Sequence, residues 1–427
     1  MALFDNWVSV EIPDSLRDGI GTPLIAFLNR NDRETIRNLS TAQPESDIET
    51  LYYVSPDGSL PRTAILPVTS ATNNQVFISP NGMSIAYFLE DPPNTGLYIL
   101  NLQLRVTGRI LALSSLVQRG FVSEPTWTPD GSRLAISLAT GYDLDIFSVP
   151  IDGAGWTNLT NTGSYEWYPS WSPDGRYLLF LSDRVRCPSW IPGEANACDA
   201  LVDAPPTSGN VFVLDTVSSE VIQLSDEWVI DPPEWVNNTQ VAFASGDPLF
   251  GDPERRLWIA DVRTRQAREV QLANGSDGPY RLSAAWSPDG RQVIFQSASN
   301  TTTEIIMMTT DGTLIGRTGE LTFPRYSMSA SWSPDSTRVA IGGLGGQCPY
   351  GSLVYDNAFQ SLRRGNPPPS MCNPIFSSDG SWLAFTGLIS NVDGRVDIYV
   401  ANGNGGGAVN LASDLRGQIN LLGWVGG

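Results

Sequence analysis

One short phrase recurs along the chain: an aromatic or apolar residue, then Ser-Pro-Asp-Gly or a close relative, then a burst of apolar residues. It reads Ile78-Ser79-Pro80-Asn81-Gly82, Trp127-Thr128-Pro129-Asp130-Gly131, Trp171-Ser172-Pro173-Asp174-Gly175 and Trp286-Ser287-Pro288-Asp289-Gly290. It returns as Trp332-Ser333-Pro334-Asp335-Ser336 and Phe376-Ser377-Ser378-Asp379-Gly380, with a weaker copy at Trp235-Val236-Asn237-Asn238. Its spacing runs from 44 to 64 residues. A strand-built repeat of that length predicts a propeller or solenoid, because each unit needs a neighbour to cover its apolar face.

The copy around Trp171 shows the physics. Pro169-Ser170-Trp171 predicts a short strand. In the turn that follows, Pro pre-sets φ, Asp bonds its own backbone and Gly takes the left-handed conformation without a steric cost. Arg176 to Leu181 predicts a second strand, Asn210 to Leu214 a third and Val221 to Leu224 a fourth. Four short antiparallel strands make one propeller blade. The Trp is expected to pack between blades, since a buried indole removes a large apolar area from water.

The fold class expected is all-β, an eight-bladed β-propeller of four-stranded antiparallel blades. Seven anchors run from Ile78 to Phe376. Upstream, Pro23 to Leu28, Thr50 to Val54 and Arg62 to Leu66 predict strands two to four of a blade lacking its first. Ile419 to Gly427 predicts that first strand, with Trp424 lying 48 residues after Phe376. The C-terminal strand should therefore join the first blade, close the ring and remove exposed edges. Seven blades is the alternative. Residues 23–427 form a single propeller domain in this reading, and residues 1–22 an N-terminal arm whose Trp7-Val8-Ser9-Val10 could pair with an edge.

The charge balance is 26 basic against 45 acidic residues, net −19. Nucleic acid binding needs a basic footprint, so it is disfavoured, as is an anionic membrane surface. No apolar run is long enough to span a bilayer. The chain has no His and no Lys, so every basic side chain is Arg. The commonest general base and metal ligand is thereby absent, and so is Schiff-base lysine chemistry. No Ser-His-Asp or Cys-His nucleophile can be assembled from this chain alone. No catalytic residue, metal site or cofactor is expected. Asp143 with Asp145, or Asp199 with Asp203, is a minor calcium alternative without an Asp-x-Asp-x-Asp-Gly loop.

Four Cys remain. Cys187 and Cys198 share one polar, Pro-rich insertion; Cys348 and Cys372 are expected in loops of the seventh repeat. None falls in a predicted apolar strand. Disulfides Cys187–Cys198 and Cys348–Cys372 are expected, each closing a loop with little core of its own. Zinc is the alternative, and no Cys-x-x-Cys spacing supports it. Disulfides imply an oxidising compartment. The start, Met-Ala-Leu-Phe-Asp-Asn-Trp, has neither a basic nor an apolar signal region. An extracytoplasmic protein whose export segment is absent from the chain as given is the expectation; a cytosolic protein with free thiols is the alternative.

Connections in a propeller alternate between two faces. The Ser-Pro-Asp-Gly turns and the third-to-fourth turns (Ser55–Gly58, Asp152-Gly153, Asp311-Gly312) share one face and are short. The other carries long irregular stretches at Asn29–Glu49, Ser182–Gly209, Gly246–Arg255, Gly342–Gly351 and Gly387–Gly394. Binding residues concentrate on such loops. The candidate binding residues there are Tyr165, Glu166, Trp167, Tyr168, Trp190, Asp226, Glu227, Trp228, Tyr280, Arg281, Arg325 and Tyr326. Aromatics beside carboxylates suit sugar stacking or a protein hot spot; equally, they could tuck the loops onto the blade tops.

The phrase Trp-Ser-Pro-Asp-Gly-Arg-x-Leu-x-Phe, with a later apolar strand before an Asp-Gly turn, resembles the repeat of TolB-type propellers over roughly residues 24–427. The resemblance implies a binding platform, often periplasmic, or a propeller attached to a peptidase. The shared motif is structural, so it transfers no catalytic residue. The chain lacks the α/β domain that precedes the TolB propeller and the Gly-x-Ser-x-Gly elbow of the peptidase relatives. Propeller lyases of similar repeat are implied to use His and metal ligands.

The function expected is therefore a non-catalytic extracytoplasmic binding or scaffold propeller that presents its long-loop face to a protein or glycan partner. The alternatives are a glycosidase or lyase pairing Glu166 with Asp226 or Glu227, and a structural subunit of a larger envelope or surface assembly. Fold analogy alone decides between none of them.

Overall fold

A computed structural model describes residues 7–14, 16, 22–30, 48–69, 76–89, 93–112, 124–153, 155–199, 202–203, 206–246, 255–298, 303–321, 323–344, 348, 353–364, 370–388, 396–415 and 417–426. Of the expected long loops, residues 31–47, 247–254, 345–347, 349–352 and 389–395 lie outside the described residues. Among the described residues the regular elements are strands, apart from helical geometry at Asp14 and Leu16.

The strands group into four-stranded antiparallel sheets, each conveniently named by its anchor residue. The Trp171 sheet is typical: Glu166–Trp171, Tyr177–Ser182, Asn210–Asp215 and Glu220–Gln223 pair in sequence order. The Ile78, Trp127, Trp235 and Trp286 sheets repeat that order. The Trp332 and Phe376 sheets do so as well, joined by one parallel bridge between Gly343 and Cys372. The remaining sheet is built from both ends of the chain: Gln418–Val425 pairs with Leu24–Arg30, followed by Ile48–Val54 and Thr63–Thr69. This is the expected all-β, propeller-type architecture.

The phrase that founds each sheet works as a hydrogen-bonding unit. In six copies the Ser or Thr hydroxyl donates to the Asp or Asn two residues on, at 2.5 to 2.7 Å. The same hydroxyl accepts the first backbone N–H of the next strand at 2.9 to 3.1 Å. The hydroxyl bonds hold the Asp130, Asp174, Asp335 and Asp379 carboxyls below the usual carboxylate range. The last turn residue sits in the left-handed region, as at Gly175 (φ 73°). Ser336 takes that conformation without being Gly (φ 58°), and its hydroxyl accepts the Asp289 N–H of the adjacent sheet at 3.1 Å.

Packing between sheets repeats one contact at four seams. Trp127, Trp235, Trp332 and Trp424 each donate their indole N–H to a carbonyl on the first strand of a neighbouring sheet: Phe77, Ser170, Ala285 and Ile375, at 2.8 to 3.1 Å. Each acceptor lies one residue before its own sheet's anchor. The apolar cores lie between sheets, as where Ile294, Ile305 and Met307 meet Val339, Ile341 and Tyr355. Bonds at the turns add to this, including Asn81 to the Asp130 carbonyl and the Gly426 N–H to the Pro80 carbonyl.

Three first strands, Glu166–Trp171, Tyr280–Trp286 and Ser370–Phe376, run longer than the sequence pattern predicts. Glu166, Trp167 and Tyr168, expected outside the strand, belong to Glu166–Trp171; Tyr280 and Arg281 belong to Tyr280–Trp286. The cause is a bulge in mid-strand. Register slips between Trp167 and Ser170, Leu282 and Ala285, and Cys372 and Ile375, with Tyr168, Ser283 and Asn373 at φ 55°, 51° and 46°. One extra residue per strand breaks the alternation on which a strand is recognised. Cys372, expected in a loop, likewise lies in Ser370–Phe376 and is buried.

The arm pairs with an edge, as expected. Val8–Ser9 adds a fifth strand to the Ile78 sheet through Val106 and Thr107. The Trp7 ring lies where a Cβ on Gly108 would meet it at 2.8 Å. Ile12 and Leu16 are buried in the core that the Trp424 and Ile78 sheets share.

Candidate functional site

Antiparallel strands in sequence order put first-to-second and third-to-fourth connections at one end of each sheet, and all others at the opposite end. The first end is plain: its connections run from four residues, as at 216–219, to eight at 55–62. The opposite end carries the insertion 183–209 and the links between sheets.

The insertion is docked, not loose. Asp183 anchors it by accepting the Tyr165 N–H and the Trp190 indole N–H, both at 2.8 Å. Burial pushes the Asp183 carboxyl up, and those two bonds oppose the shift. The Trp190 backbone N–H reaches the Gly163 carbonyl at 2.6 Å, and Tyr165 meets the Trp190 ring edge-on at 5.4 Å. The expected disulfide Cys187–Cys198 closes the loop, with Cα atoms 5.8 Å apart. Cys348–Cys372 is also formed, and it ties the loop after the second strand of the Trp332 sheet to the first strand of the Phe376 sheet.

Four of the candidate residues serve the interior. Trp167 and Trp190 are buried. Arg281 is buried between Asp277 at 2.6 Å and Glu269 at 3.3 Å. Glu166 is 0% exposed, and one carboxylate oxygen accepts from Thr162 at 2.7 Å, Ser182 at 3.0 Å and Arg184 at 3.0 Å. Desolvation pushes that carboxyl up to about 7, with the Arg184 charge and the Thr162 bond pulling the other way. A group so enclosed has no route to a substrate, so the suggested pairing of Glu166 with Asp226 or Glu227 offers one accessible acid, not two. Asp226 is exposed and accepts from Gln223 at 2.9 Å; Glu227 lies 3.9 Å from Arg256.

The other candidates meet at the elaborated end. Asp231 pairs with Arg255, whose guanidinium lies 5.9 Å from the Tyr326 ring centre. Arg325 stacks over Tyr280 at 4.8 Å. Burial, then the charges of Asp231 and Glu124, push the Tyr168 phenol up. Trp228 and Tyr326 are each 38% exposed. Asp231 and Arg255 thus connect the neighbourhood of Tyr168 with that of Tyr326, which follows Arg325 in the chain, while Trp228 stands exposed at the same end of its sheet. Sequence reasoning did not single out Arg255, Glu124 or Tyr142. Arg255 ends one of the long insertions, which was the available signal; Tyr142 sits in a four-residue turn and gave none.

Asp145 already accepts from Asn158, Thr160 and the Thr162 N–H, at 2.7 to 3.1 Å. No group of three or more His, Cys, Asp or Glu side chains suited to a metal ion occurs among the described residues. No helix among them is long and apolar enough to cross a membrane.

Comparison with known proteins agrees with the repeat. The model of the TolB beta propeller domain matches residues 75–190. A TolB homologue of Chlorobium luteolum is 30% identical over 155 residues, covering 35% of this chain and 33% of that protein. A putative Tricorn-like protease C-terminal subunit of Sulfurisphaera tokodaii is 25% identical over 151 residues, 35% of this chain and 16% of that protein. The matches thus cover a third or less of the length of these relatives. Among solved structures, a eukaryotic initiation factor superposes with a TM-score of 0.55 at 10% identity, covering 93% of this chain and 98% of that one, a likeness of fold alone. The repeated turn, the four-stranded sheets and these matches support a TolB-like β-propeller, with the family model itself matching residues 75–190.

Proposed function

We propose that the chain is a non-catalytic binding propeller of an oxidising, extracytoplasmic compartment, and that its elaborated end holds a protein partner. In this reading residues 23–427 are one ring of eight blades, and residues 1–22 an arm laid across its outside. Ring closure is supported by the mixed sheet of chain ends and by the Trp424 bond to Ile375, which repeats the contact made at three other seams. The compartment is supported by the two disulfides.

One observation carries the functional reading. Among the described residues, the large aromatic side chains that stand exposed are Tyr142, Trp228 and Tyr326, and all three lie at the elaborated end. Trp, Tyr and Arg dominate binding hot spots. Here Arg255 and Arg325 hold their neighbouring rings by cation–π contact. A ring built only for stability has no reason to sort its exposed aromatics to one end. Glu166 is enclosed, so the pairing of Glu166 with Asp226 or Glu227 lends the glycosidase or lyase alternative no support.

The test is photocrosslinking in the native cell envelope from a probe at position 228, with a matched probe at position 335 on the plain end. A discrete partner should be captured from position 228 alone, and Tyr326→Ala should cut the yield by about tenfold, as for a hot-spot residue. Equal capture from both ends, or capture indifferent to Tyr326→Ala, contradicts the reading.

A further inference from the structure

Three buried carboxylates gather at the root of the insertion 183–209. Asp145 from the Trp127 sheet, Glu166 from the Trp171 sheet and Asp183 from the insertion are each 3% exposed or less. Thr162 links the first two, its N–H donating to Asp145 at 3.0 Å and its hydroxyl to Glu166 at 2.7 Å. Asp183 holds the N–H of Tyr165, the residue before Glu166. Among the described residues, Arg184 is the cation bonded to any of the three. The other ionisable groups around them are engaged elsewhere. Asp143 takes the Thr140 hydroxyl, Tyr165 turns its ring to Trp190, and Glu194 is exposed and takes the Ser189 hydroxyl.

Donors are not shared equally. Asp145 accepts from three groups and the Asp183 carboxylate from two. Glu166 takes all three of its bonds on one oxygen, and the other oxygen is buried without a partner. An ionised oxygen left dry and without a donor costs more than a neutral one, so a proton at this root belongs on Glu166. Arg184 stays in place without the Glu166 charge. Its Nε donates to the Ser182 hydroxyl at 3.0 Å, and its guanidinium lies over Phe180 and Phe212, 5.4 and 4.8 Å from the ring centres. We propose that the insertion 183–209 is an acid-held cover, closed over Glu166 while that carboxyl carries a proton and opening as the proton leaves. Burial holds this carboxyl at about 7 against an ordinary 4.5, so closure is firmest in acid and weakens as pH rises to about 7. The far end of the cover bears on the next sheet: Gly209 and Val229 exchange N–H bonds to each other's carbonyl at 3.0 and 2.8 Å. Opening therefore loosens the link that carries Trp228. The device does not depend on a partner there.

The test is amide hydrogen exchange of the full chain, read by mass spectrometry and divided by the unstructured rate at each pH. The reporter is the segment 184–192, whose Trp190 N–H is bonded to the Gly163 carbonyl. Its protection should fall about tenfold or more from about pH 5 to about pH 8, while that of 292–298 in the Trp286 sheet holds. Glu166→Gln should remove most of the fall. Asp145→Asn takes away a competing charge and leaves Glu166 in place. It should shrink the fall and end it at lower pH, and it decides the matter if the Gln variant does not fold. Protection indifferent to pH in the natural chain, or a fall of full size in folded Glu166→Gln or in Asp145→Asn, overturns the proposal.

Discussion

Glu166 illustrates how a residue can look functional in sequence and be structural in space. Its burial favours the neutral carboxyl, so its folded pKa of about 7 stands above the unfolded value. The stability this group contributes is therefore fully present below about pH 4 and is lost as pH rises through about 7. Glu166→Gln keeps the shape and the bonds to Thr162 and Ser182 without the titration. Relative to the Gln variant, the natural chain should lose stability between acid and mildly alkaline pH, by up to about 3 kcal/mol. Denaturant unfolding at both ends of that range measures it; a difference between the two chains that ignores pH contradicts the assignment. The anchor Trp residues and the turn Ser and Asp were legible in the sequence, because one residue type does one job at every repeat. Glu166, Trp167 and Arg281 were not. Interior ion pairs such as Arg281–Asp277 draw on the same residue types as a binding surface, and only coordinates separate the two.

At the scale of elements, second, third and fourth strands were legible within a residue or two, since each is a short apolar run between turn signals. Three first strands were not, because the bulges at Tyr168, Ser283 and Asn373 place two residues where alternation allows one. The insertion 183–209 was legible as an excursion, but not its docking: the anchoring bonds of Asp183 join Tyr165 and Trp190, residues without a common pattern. Its disulfide closes a short loop, which in the chain-entropy account stabilises by about 2–3 kcal/mol. Replacing Cys187 and Cys198 together by Ser should lower the melting temperature by a few degrees and make residues 187–198 the first site of limited proteolysis. The Asp183 anchors should keep the rest of the Trp171 sheet folded. An unchanged cleavage pattern would mean that the anchors alone hold the insertion.

At the scale of the whole molecule, architecture follows from two facts about repeats: each sheet needs two neighbours, and a chain with ends must join them or leave an edge open. The pairing of Leu24–Arg30 with Gln418–Val425 joins them, and Arg62 reinforces the junction by reaching Asp414 at 2.5 Å. The arm adds a second tie across the neighbouring seam through Ile12 and Leu16. This junction was legible from spacing alone, because Trp424 falls one period after Phe376. In the proposed ring, both ends of the sheets would hold a fixed geometry, and the exposed aromatics from distant parts of the chain would act as one surface. The partner itself was not legible, since neither the repeat nor the sheets encode it.

Hydrogen exchange in residues 418–425, read by mass spectrometry beside residues 24–30, tests the joined ring most directly. The account predicts that both segments exchange slowly and lose protection together, at one denaturant concentration, with the sheets on either side. Rapid exchange in 418–425 while 24–30 stays protected would mean that the ends do not meet, and the ring with its shared surface would fall with it.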